Sequence, residues 1–431
     1  MFAIVNFQER HEKIRQIFER SAVFSDEIDT SVREIIDQVR SRGDAAVMDL
    51  TQLFDGVRPA SLRVDPAALH ASYESLLPDL KSILSEAAEN IRRFHEKQVR
   101  RSWFVEDGDG VVLGQRFVPV ERAGVYVPGG TAAYPSSVLM CVIPAQVAGV
   151  ETIHLTSPPG ADGLPHPFVC AAAALLNVDH VYAVGGAQAI AALAFGTNSI
   201  PRVDKIVGPG NAYVAAAKRL VYGQVDIDSV AGPSEIAILA DQSADPEFIA
   251  ADLLSQAEHD TRASAVLVTT EKEIAAAVRE YLETMVASLP RREIAQQSLR
   301  DYGACVVTQS LEEAVQVINE LAPEHLELLV DDPWRVMTDI RHAGAIFLGP
   351  HSPEPVGDYF AGPNHVLPTG GTARFSSALG VDDFIRHQSV IAYTAERLAR
   401  TAPRIASFAR AEELEGHARS VEARFARLRR A

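Results

Sequence analysis

The chain has 431 residues, of which 47% are hydrophobic and 23% charged, as in an ordinary globular protein of two or three domains. Its net charge of -17 argues against a nucleic-acid partner, because no basic face offsets the repulsion of phosphates. Three widely spaced cysteines give no disulfide framework and fit a reducing, cytoplasmic setting. We expect neither a signal peptide nor a membrane span, since no basic leader or long apolar run is present.

The first region of the chain is predicted to be mainly helical and to end in a β-hairpin. Apolar residues at helical intervals predict helices over residues 7–20, 25–55 and 66–100. Strands at 102–106 and 111–120 flank the turn signal Asp107-Gly108-Asp109-Gly110.

Short apolar strands alternate with helices from about residue 123. In a first block, strands are predicted at 124–127, 152–155, 180–183, 203–207 and 225–227, and helices at 136–148, 168–176, 187–195 and 212–222. In a second block, strands are predicted at 236–239, 265–269, 304–308, 326–330 and 345–348, and helices at 247–258, 271–288, 311–320 and 334–340. This βαβ pattern predicts parallel sheets covered by helices, in two units each too short for a full six-stranded nucleotide domain.

Two further segments follow the second block. Residues 351–371 are rich in Gly and Pro and are predicted to be a linking stretch. The last fifty residues are rich in Ala, Arg and Glu and are predicted to be a helical tail. Because such a tail has little core of its own, we expect it to pack on another domain or another subunit.

Three glycine turns in the first block could bind a dinucleotide. They are Gly129-Gly130, Gly185-Gly186 and Gly208-Pro209-Gly210, and each follows a predicted strand. Glycine lets the backbone approach phosphate, and turns at the carboxyl ends of parallel strands share one edge of the sheet. Tyr126 could stack on a ring, and Gln188 and Asn211 could hydrogen-bond to ribose or amide groups. Tight turns without a ligand would give the same pattern.

Gln256 and His259 could form half of a metal site. Residues three apart on a helix share a face, and a predicted helix covers this segment. A surface helix that ends in a polar turn would look the same. The chain offers further oxygen and nitrogen ligands for zinc or another borderline divalent ion. From spacing alone Asp358, Asp382 and Asp383 are equivalent, as are His417 and His365.

Glu324 and His325 could act as bases. They lie between a helix ended by Pro323 and a strand that begins at Leu326. A histidine suits proton abstraction from an alcohol, and a carboxylate suits activation of water. We expect the two adjacent side chains to point apart and to act on different atoms of one substrate. A solvated Glu-His loop remains the alternative.

Seven segments along the chain resemble histidinol dehydrogenase. They are residues 124–130 (GVYVPGG), 208–211 (GPGN), 231–235 (AGPSE), 255–259 (SQAEH), 322–327 (APEHLE), 357–359 (GDY) and 362–369 (GPNHVLPT). The resemblance implies an α/β fold with two incomplete Rossmann-like domains and helical N- and C-terminal segments. It implies a homodimer with a shared active site, and oxidation of L-histidinol to L-histidine by two NAD through histidinal.

The resemblance also implies domain boundaries. An N-terminal helical arm would cover residues 1–24, and a discontinuous first α/β domain would cover 25–122 and 235–378. A second Rossmann-like domain would cover 123–234, and a C-terminal dimerisation tail 379–431. The short terminal segments would embrace the partner subunit.

Site residues follow from the resemblance at matching positions. The implied ligands of one zinc per subunit are Gln256, His259, Asp358 and His417, the last reaching across the dimer. The implied bases are Glu324 and His325. The implied substrate contacts are Ser234, Gln256, His259, His325, Asp358, Glu412 and His417. The implied NAD contacts are Tyr126, Gln188 and Asn211. Glu413 and Glu415 lie beside Glu412 and stay open as alternatives to it.

Two other functions are possible on the same residues. One is a paralogue that oxidises another small alcohol, such as a sulfonated diol, and the other is a non-catalytic nucleotide- or metal-binding protein. Ser234 and Glu412 favour histidinol, because a carboxylate attracts a cationic group and repels a sulfonate. Glu324 and His325 weigh against a non-catalytic protein. The chemistry needs no nucleophilic cysteine, so replacement of the three thiols should leave turnover largely intact.

Overall fold

In its described residues, the N-terminal region contains one β-strand and five α-helices. The structure is a computed structural model that describes residues 2–21, 26–108, 110–129 and 134–428. The elements are β1 (Ala3–Asn6), α1 (Arg10–Ser21), α2 (Asp26–Arg42), α3 (Asp44–Asp55), α4 (Pro66–Glu74) and α5 (Pro78–His95). The three predicted helical regions are confirmed, although Gly43 separates α2 from α3, residues 75–77 separate α4 from α5, and Ser25 lies outside the described residues. The hairpin strands β2 (Trp103–Glu106) and β3 (Val111–Pro119) follow, and Asp109 of their turn is outside the described part.

The first predicted βαβ block forms a five-stranded parallel sheet. Its elements are β4 (Arg122–Tyr126), α6 (Pro135–Ala148), β5 (Thr152–Ser157), α7 (Pro167–Leu175), β6 (His180–Ala183), α8 (Gly186–Phe195), β7 (Lys205–Val207), α9 (Ala212–Val221) and β8 (Asp226–Ile227). The strand order is β6-β5-β4-β7-β8. Strands such as β4 and β5 are buried nearly throughout, because helices cover both faces of such a sheet.

The second block forms a six-stranded parallel sheet in the order β1-β11-β10-β9-β12-β13. Its elements are β9 (Glu235–Ala240), α10 (Pro246–Ala257), β10 (Ser264–Thr269), α11 (Lys272–Met285), α12 (Arg292–Tyr302), β11 (Ala304–Val307), α13 (Leu311–Leu321), β12 (His325–Leu329), α14 (Pro333–Met337), β13 (Ala345–Leu348) and α15 (Glu354–Tyr359). Both predicted parallel sheets are therefore confirmed.

Three elements of this unit differ from expectation. Residues 3–6 were expected in a helical arm, but β1 pairs in parallel with β11 along Ala3–Asn6. Helix α12 was not predicted at all, and α15 lies in the stretch expected to be a linker. Strand β1 has only four residues, and its partner lies three hundred positions along the chain, so local periodicity could not reveal it.

The C-terminal tail was expected to be helical throughout, and this is wrong at its start. Strand β14 (Ile385–Tyr393) precedes helices α16 (Ala395–Ala411) and α17 (Glu415–Leu428). Strand β14 pairs with β3 in an antiparallel sheet of order β14-β3-β2. The hairpin thus belongs with the tail rather than with the first α/β domain to which the prediction assigned it.

The chain divides into two compact units. One comprises Met1–Gln98 and Val120–Phe384 and contains both parallel sheets, and the other comprises Val99–Pro119 and Ile385–Ala431. The predicted division of the first unit near residues 123 and 234 stays a prediction. Among the described residues, no helix is both long and apolar enough to cross a membrane.

Candidate active site

A cavity of about 490 Å³ lies in the first unit and receives residues from both parallel sheets. The five-stranded sheet contributes the loops after the carboxyl ends of β4 and β7. The six-stranded sheet contributes the residues at the amino ends of β9 and β12. Its walls include Pro128, Gly208, Asn211, Ser234, Gln256 and Asp358. The carboxyl ends of strands in one sheet and the amino ends of strands in the other therefore supply the two halves of one site.

His325 is the first residue of β12 and lies in the wall of this cavity. Its ring is buried, and Nδ1 lies 3.0 Å from the carbonyl oxygen of Glu235. Because a carbonyl only accepts hydrogen bonds, Nδ1 carries the hydrogen and Nε2 keeps its lone pair. Nε2 is buried and has no hydrogen-bond partner among the described residues. Burial lowers the pKa of His325, which favours the neutral ring, the form that can accept a proton.

Glu324 reaches the same cavity from the turn before β12. Its Oε2 accepts a hydrogen bond of 2.9 Å from the backbone N–H of Glu235 and lies 3.8 Å from Nδ1 of His325. The expectation that these side chains point apart is therefore wrong. Side chains alternate between the two faces of a sheet only within a strand, and Glu324 lies before β12 begins. Burial raises the pKa of Glu324 well above its usual range, with the nearby carboxylates adding to this effect. A carboxylate with a raised pKa is a stronger base.

The backbone before this pair is strained. Helix α13 ends at Leu321, and Ala322 caps it in the left-handed region with φ of +46°. A residue other than glycine adopts this region at a cost, and such outliers occur often at functional sites. The turn carries the chain directly from α13 into Glu324 and His325.

Gln256 and His259 both line the cavity. Asp245 caps the start of α10 through the N–H of Glu247, and the helix ends at Ala257, one residue before the predicted end. His259 thus lies in the turn after the helix and is exposed, whereas Gln256 is fully buried. Neither amide atom of the Gln256 side chain has a hydrogen-bond partner among the described residues. A buried amide without a partner is costly unless a ligand satisfies it.

Asp358 is the acidic candidate that the structure places with these residues. It lines the cavity, and its Oδ1 lies 3.8 Å from Nε2 of His325. Asp383 instead lies 3.6 Å from Lys205. Burial and the carboxylate of Glu354 raise the pKa of Asp358 to about 9. The structure therefore separates Asp358 from the alternatives that spacing left open.

The histidine candidates are divided between the two units. His365 lines the cavity, and burial lowers its pKa to about 4. His417 lies in α17, and Glu412 caps the end of α16, so both belong to the second unit. Glu413, beside it, adopts a positive φ of +61°.

Glu354 is a site residue that the sequence analysis missed. It is buried at the start of α15, and its Oε1 lies 4.0 Å from Nε2 of His325. Ligand atoms of His325, Glu354 and Asp358 lie within 4.8 Å of one another. Two acidic residues four apart share a face only on a helix, and the sequence analysis predicted this segment to be a linking stretch.

A carboxyl pair behind Glu354 links three elements of the site. Glu327 of β12 accepts a hydrogen bond of 2.8 Å from the backbone N–H of Glu354, and its carboxyl group also bonds to Asp252 of α10. Ser255 donates to the carboxylate of Glu354 at 3.2 Å. These contacts tie α10, which carries Gln256, to α15.

The predicted NAD contacts fall in two places. Asn211 lines the cavity, and its Oδ1 accepts from the backbone N–H groups of Tyr213 and Val214 as the cap of α9. Tyr126 and Gln188 are buried beside the turn at Gly186 and do not line the cavity. Strands β5 and β4 separate β6, which leads into that turn, from β7.

Gln188 nevertheless has two buried amide atoms without a partner among the described residues. Tyr126 accepts a hydrogen bond from the N–H of Gly186 at 3.2 Å, and burial raises its pKa to about 12. Gly130 of the remaining glycine turn lies outside the described residues.

Comparison with known proteins identifies the family. The sequence model described as histidinol dehydrogenase matches residues 18–425. The chain is 57% identical over 394 residues to histidinol dehydrogenase of Halalkalibacterium halodurans, covering 91% of this chain and 93% of the relative. It is 50% identical over 428 residues to that of Chlorobaculum tepidum, covering 99% and 100%. The chain belongs to the histidinol dehydrogenase family.

A solved histidinol dehydrogenase has the same fold. The crystal structure from Elizabethkingia anophelis matches with a TM-score of 0.93 and 36% identity over 99% of each chain. Family membership confirms the resemblance found in the sequence and the predicted class, an NAD-dependent oxidoreductase acting on a CH–OH group. The roles of individual side chains remain predictions.

Proposed function

We propose that the chain oxidises L-histidinol to L-histidine, in histidine biosynthesis, with two NAD per turnover and histidinal held in the site. One observation supports this most directly. Glu324 and the unpartnered Nε2 of His325 lie in one cavity, so a base for the alcohol and a base for water are both present. The three buried free thiols fit a reducing, cytoplasmic location.

We propose that Gln256, His259 and Asp358 hold zinc, together with His417 of the partner subunit. The residues present fit the ion, because Gln256 offers a buried amide without a partner and Asp358 a carboxylate in the same cavity. A nitrogen and oxygen donor set of this kind suits zinc. When bound, zinc would fix the imidazole and amino groups of histidinol.

The first oxidation uses His325. Its Nε2 takes the hydroxyl proton of histidinol while a hydride moves from the carbinol carbon to the nicotinamide, giving histidinal and NADH. The hydrogen bond from Nδ1 to the carbonyl of Glu235 holds the ring in the tautomer that this step needs. Glu354, 4.0 Å from Nε2, lies where it stabilises the positive charge that forms.

The second oxidation needs water. Glu324 removes a proton from water as the water oxygen adds to the aldehyde carbon and forms a hydrate. His325, after release of its first proton, takes a hydroxyl proton of the hydrate while a hydride moves to the second NAD. The product is the carboxylic acid, and four electrons have left the substrate. Ser234 and Glu412 are proposed to help hold histidinol, and Tyr126, Gln188 and Asn211 to hold NAD.

We propose a homodimer. The second unit exposes large apolar side chains on its sheet and its first helix, among them Phe104, Ile391 and Phe408, exposed by 56, 69 and 69%. Apolar surface of this kind in a small unit typically marks a contact with another protein. A second copy is the occupant that would also supply His417 to the metal ligands. A monomer in sedimentation equilibrium would contradict this arrangement.

The proposed function is tested by the NADH formed from L-histidinol by the zinc-loaded protein. We expect steady turnover that a chelator abolishes and zinc restores, with no turnover of a sulfonated diol. Turnover of the diol alone would indicate a paralogue. The absence of NADH with either alcohol would indicate a non-catalytic binding protein.

A further inference from the structure

A buried ion pair lies at the wall of the cavity, which its aspartate lines, and has no part in the chemistry described so far. Lys218 belongs to α9, and Asp228 follows directly after β8. Their side chains are exposed by only 2 and 4%, and they form a direct ion pair. Replacing a buried ion pair with apolar residues is often neutral or stabilising, so stability alone is a weak explanation for it.

The pair holds both backbone polar groups of Gly208. Nζ of Lys218 donates to the carbonyl oxygen of Gly208 at 2.9 Å, and Oδ2 of Asp228 accepts from its N–H at 2.7 Å. Gly208 has φ of +117°, and a Cβ there would lie 2.1 Å from the carbonyl oxygen of Tyr126. The start of the turn is thus fixed by charge on one side and by close packing on the other.

Asp228 also holds a second wall of the cavity. Its Oδ1 accepts from the N–H of Ser229 at 2.6 Å. The loop that begins there continues along the cavity to Ser234, and the turn at residues 208–211 lines the same cavity. One ion pair therefore connects the loop predicted for the dinucleotide with the loop that leads to the substrate contact.

We infer that Lys218 and Asp228 are positioning residues for the dinucleotide, which hold the turn at Gly208 in the shape that receives it. The inference rests on the proposed function, because it takes NAD to bind in this cavity. Lys218 does not line the cavity, and its nitrogen is engaged by Gly208 and Asp228. Asp228 does line the cavity, but both of its carboxylate oxygens are engaged within the protein, by the N–H groups of Gly208 and Ser229. A turn that is free to move should bind NAD more weakly and leave the metal ligands unaffected.

The neighbouring pair Lys205–Asp226 provides a matched control. It joins β7 to β8 at 2.9 Å, and neither residue lines the cavity. Its Asp226 side chain is 53% exposed. Removing this pair perturbs β7 and β8, and also the contact of Lys205 with Asp383, without removing a hydrogen bond of Gly208.

The test uses the double substitution K218M/D228L, which replaces the ion pair with apolar side chains, beside the control K205M/D226L. We expect K218M/D228L to fold and bind zinc like the wild type, and to raise the KM and dissociation constant for NAD about 10- to 100-fold. The KM for histidinol and kcat should change less than these. D228N keeps an acceptor for the N–H of Gly208, so its dissociation constant for NAD should lie between those of the wild type and of D228A. The control pair should leave NAD binding unchanged.

Amide hydrogen exchange of residues 205–212, followed by mass spectrometry without any ligand, separates this inference from the proposed function. K218M/D228L should exchange faster there than wild type or the control variant. Unchanged exchange and unchanged NAD affinity would overturn the inference. Faster exchange in a protein that never binds NAD would overturn the cofactor role and the proposed function together. Equal losses of NAD affinity in K218M/D228L and K205M/D226L would overturn the inference, because they would show that Lys218 and Asp228 have only a structural role.

Discussion

Glu327 should govern the metal affinity of a site that it does not touch. Glu327 is 1% exposed, and its carboxyl group accepts a hydrogen bond from the N–H of Glu354, the first residue of the six-residue helix that carries Asp358. That N–H has no partner within the helix. Glu327→Leu leaves it unsatisfied, which costs about 1–3 kcal/mol, and also leaves Asp252 without its carboxyl partner.

If this whole cost destabilises the zinc-bound state relative to the free protein, the affinity for zinc drops about 5- to 150-fold. This is in the range usual for residues that orient metal ligands. Glu327→Gln keeps an acceptor for Glu354 and a donor for Asp252, so it should retain most of the affinity. Titration of the apoprotein with zinc against a chromophoric chelator measures both variants. Glu313→Leu is the control, since Glu313 accepts the backbone N–H of Gln309 away from the cavity. The reasoning is refuted if Glu327→Leu binds zinc like the wild type, or if Leu and Gln weaken it equally.

Three further outcomes follow from the buried groups. Burial raises the pKa of Asp252 to about 6 and that of Glu327 well above its usual range, so the folded state holds protons that the unfolded chain has released. Their contribution to stability therefore falls as pH rises above about 4, and D252N/E327Q should gain stability relative to wild type between about pH 5 and 8 in urea unfolding. Gly208→Ala should raise the KM for NAD at least about tenfold in initial-rate assays, because the left-handed backbone and the close contact leave no room for a methyl group. Replacement of all three thiols by alanine should leave kcat within about threefold of the wild-type value, and mass spectrometry of the wild type should find no thiohemiacetal. The reason is that burial raises the pKa of each thiol, those of Cys141, Cys170 and Cys305.

The parallel sheets could be predicted because their strands are continuous apolar runs with helices between them. Strands β1 and β14 could not, since each is defined by a partner hundreds of residues away in the chain. Strand β14 is also mostly exposed, so it lacks the buried run that marks the strands of the two parallel sheets.

The candidate site shows the same division. Glu324, His325 and Gln256 were singled out from local sequence and lie in one cavity. Spacing alone left Asp358 equivalent to Asp382 and Asp383. The family resemblance selected Asp358, and the fold supplies the physical reason, because α15 places it beside His325. Glu354 was missed because its position four residues before Asp358 means little until His325 is placed beside both.

The ratio of NADH formed to L-histidinol consumed tests the central claim most directly. A protein in which His325 serves both hydride transfers and Glu324 activates water should give two NADH and one L-histidine for each L-histidinol, with no free aldehyde. One NADH per substrate with release of histidinal, or histidinol consumed without NADH, would contradict the account.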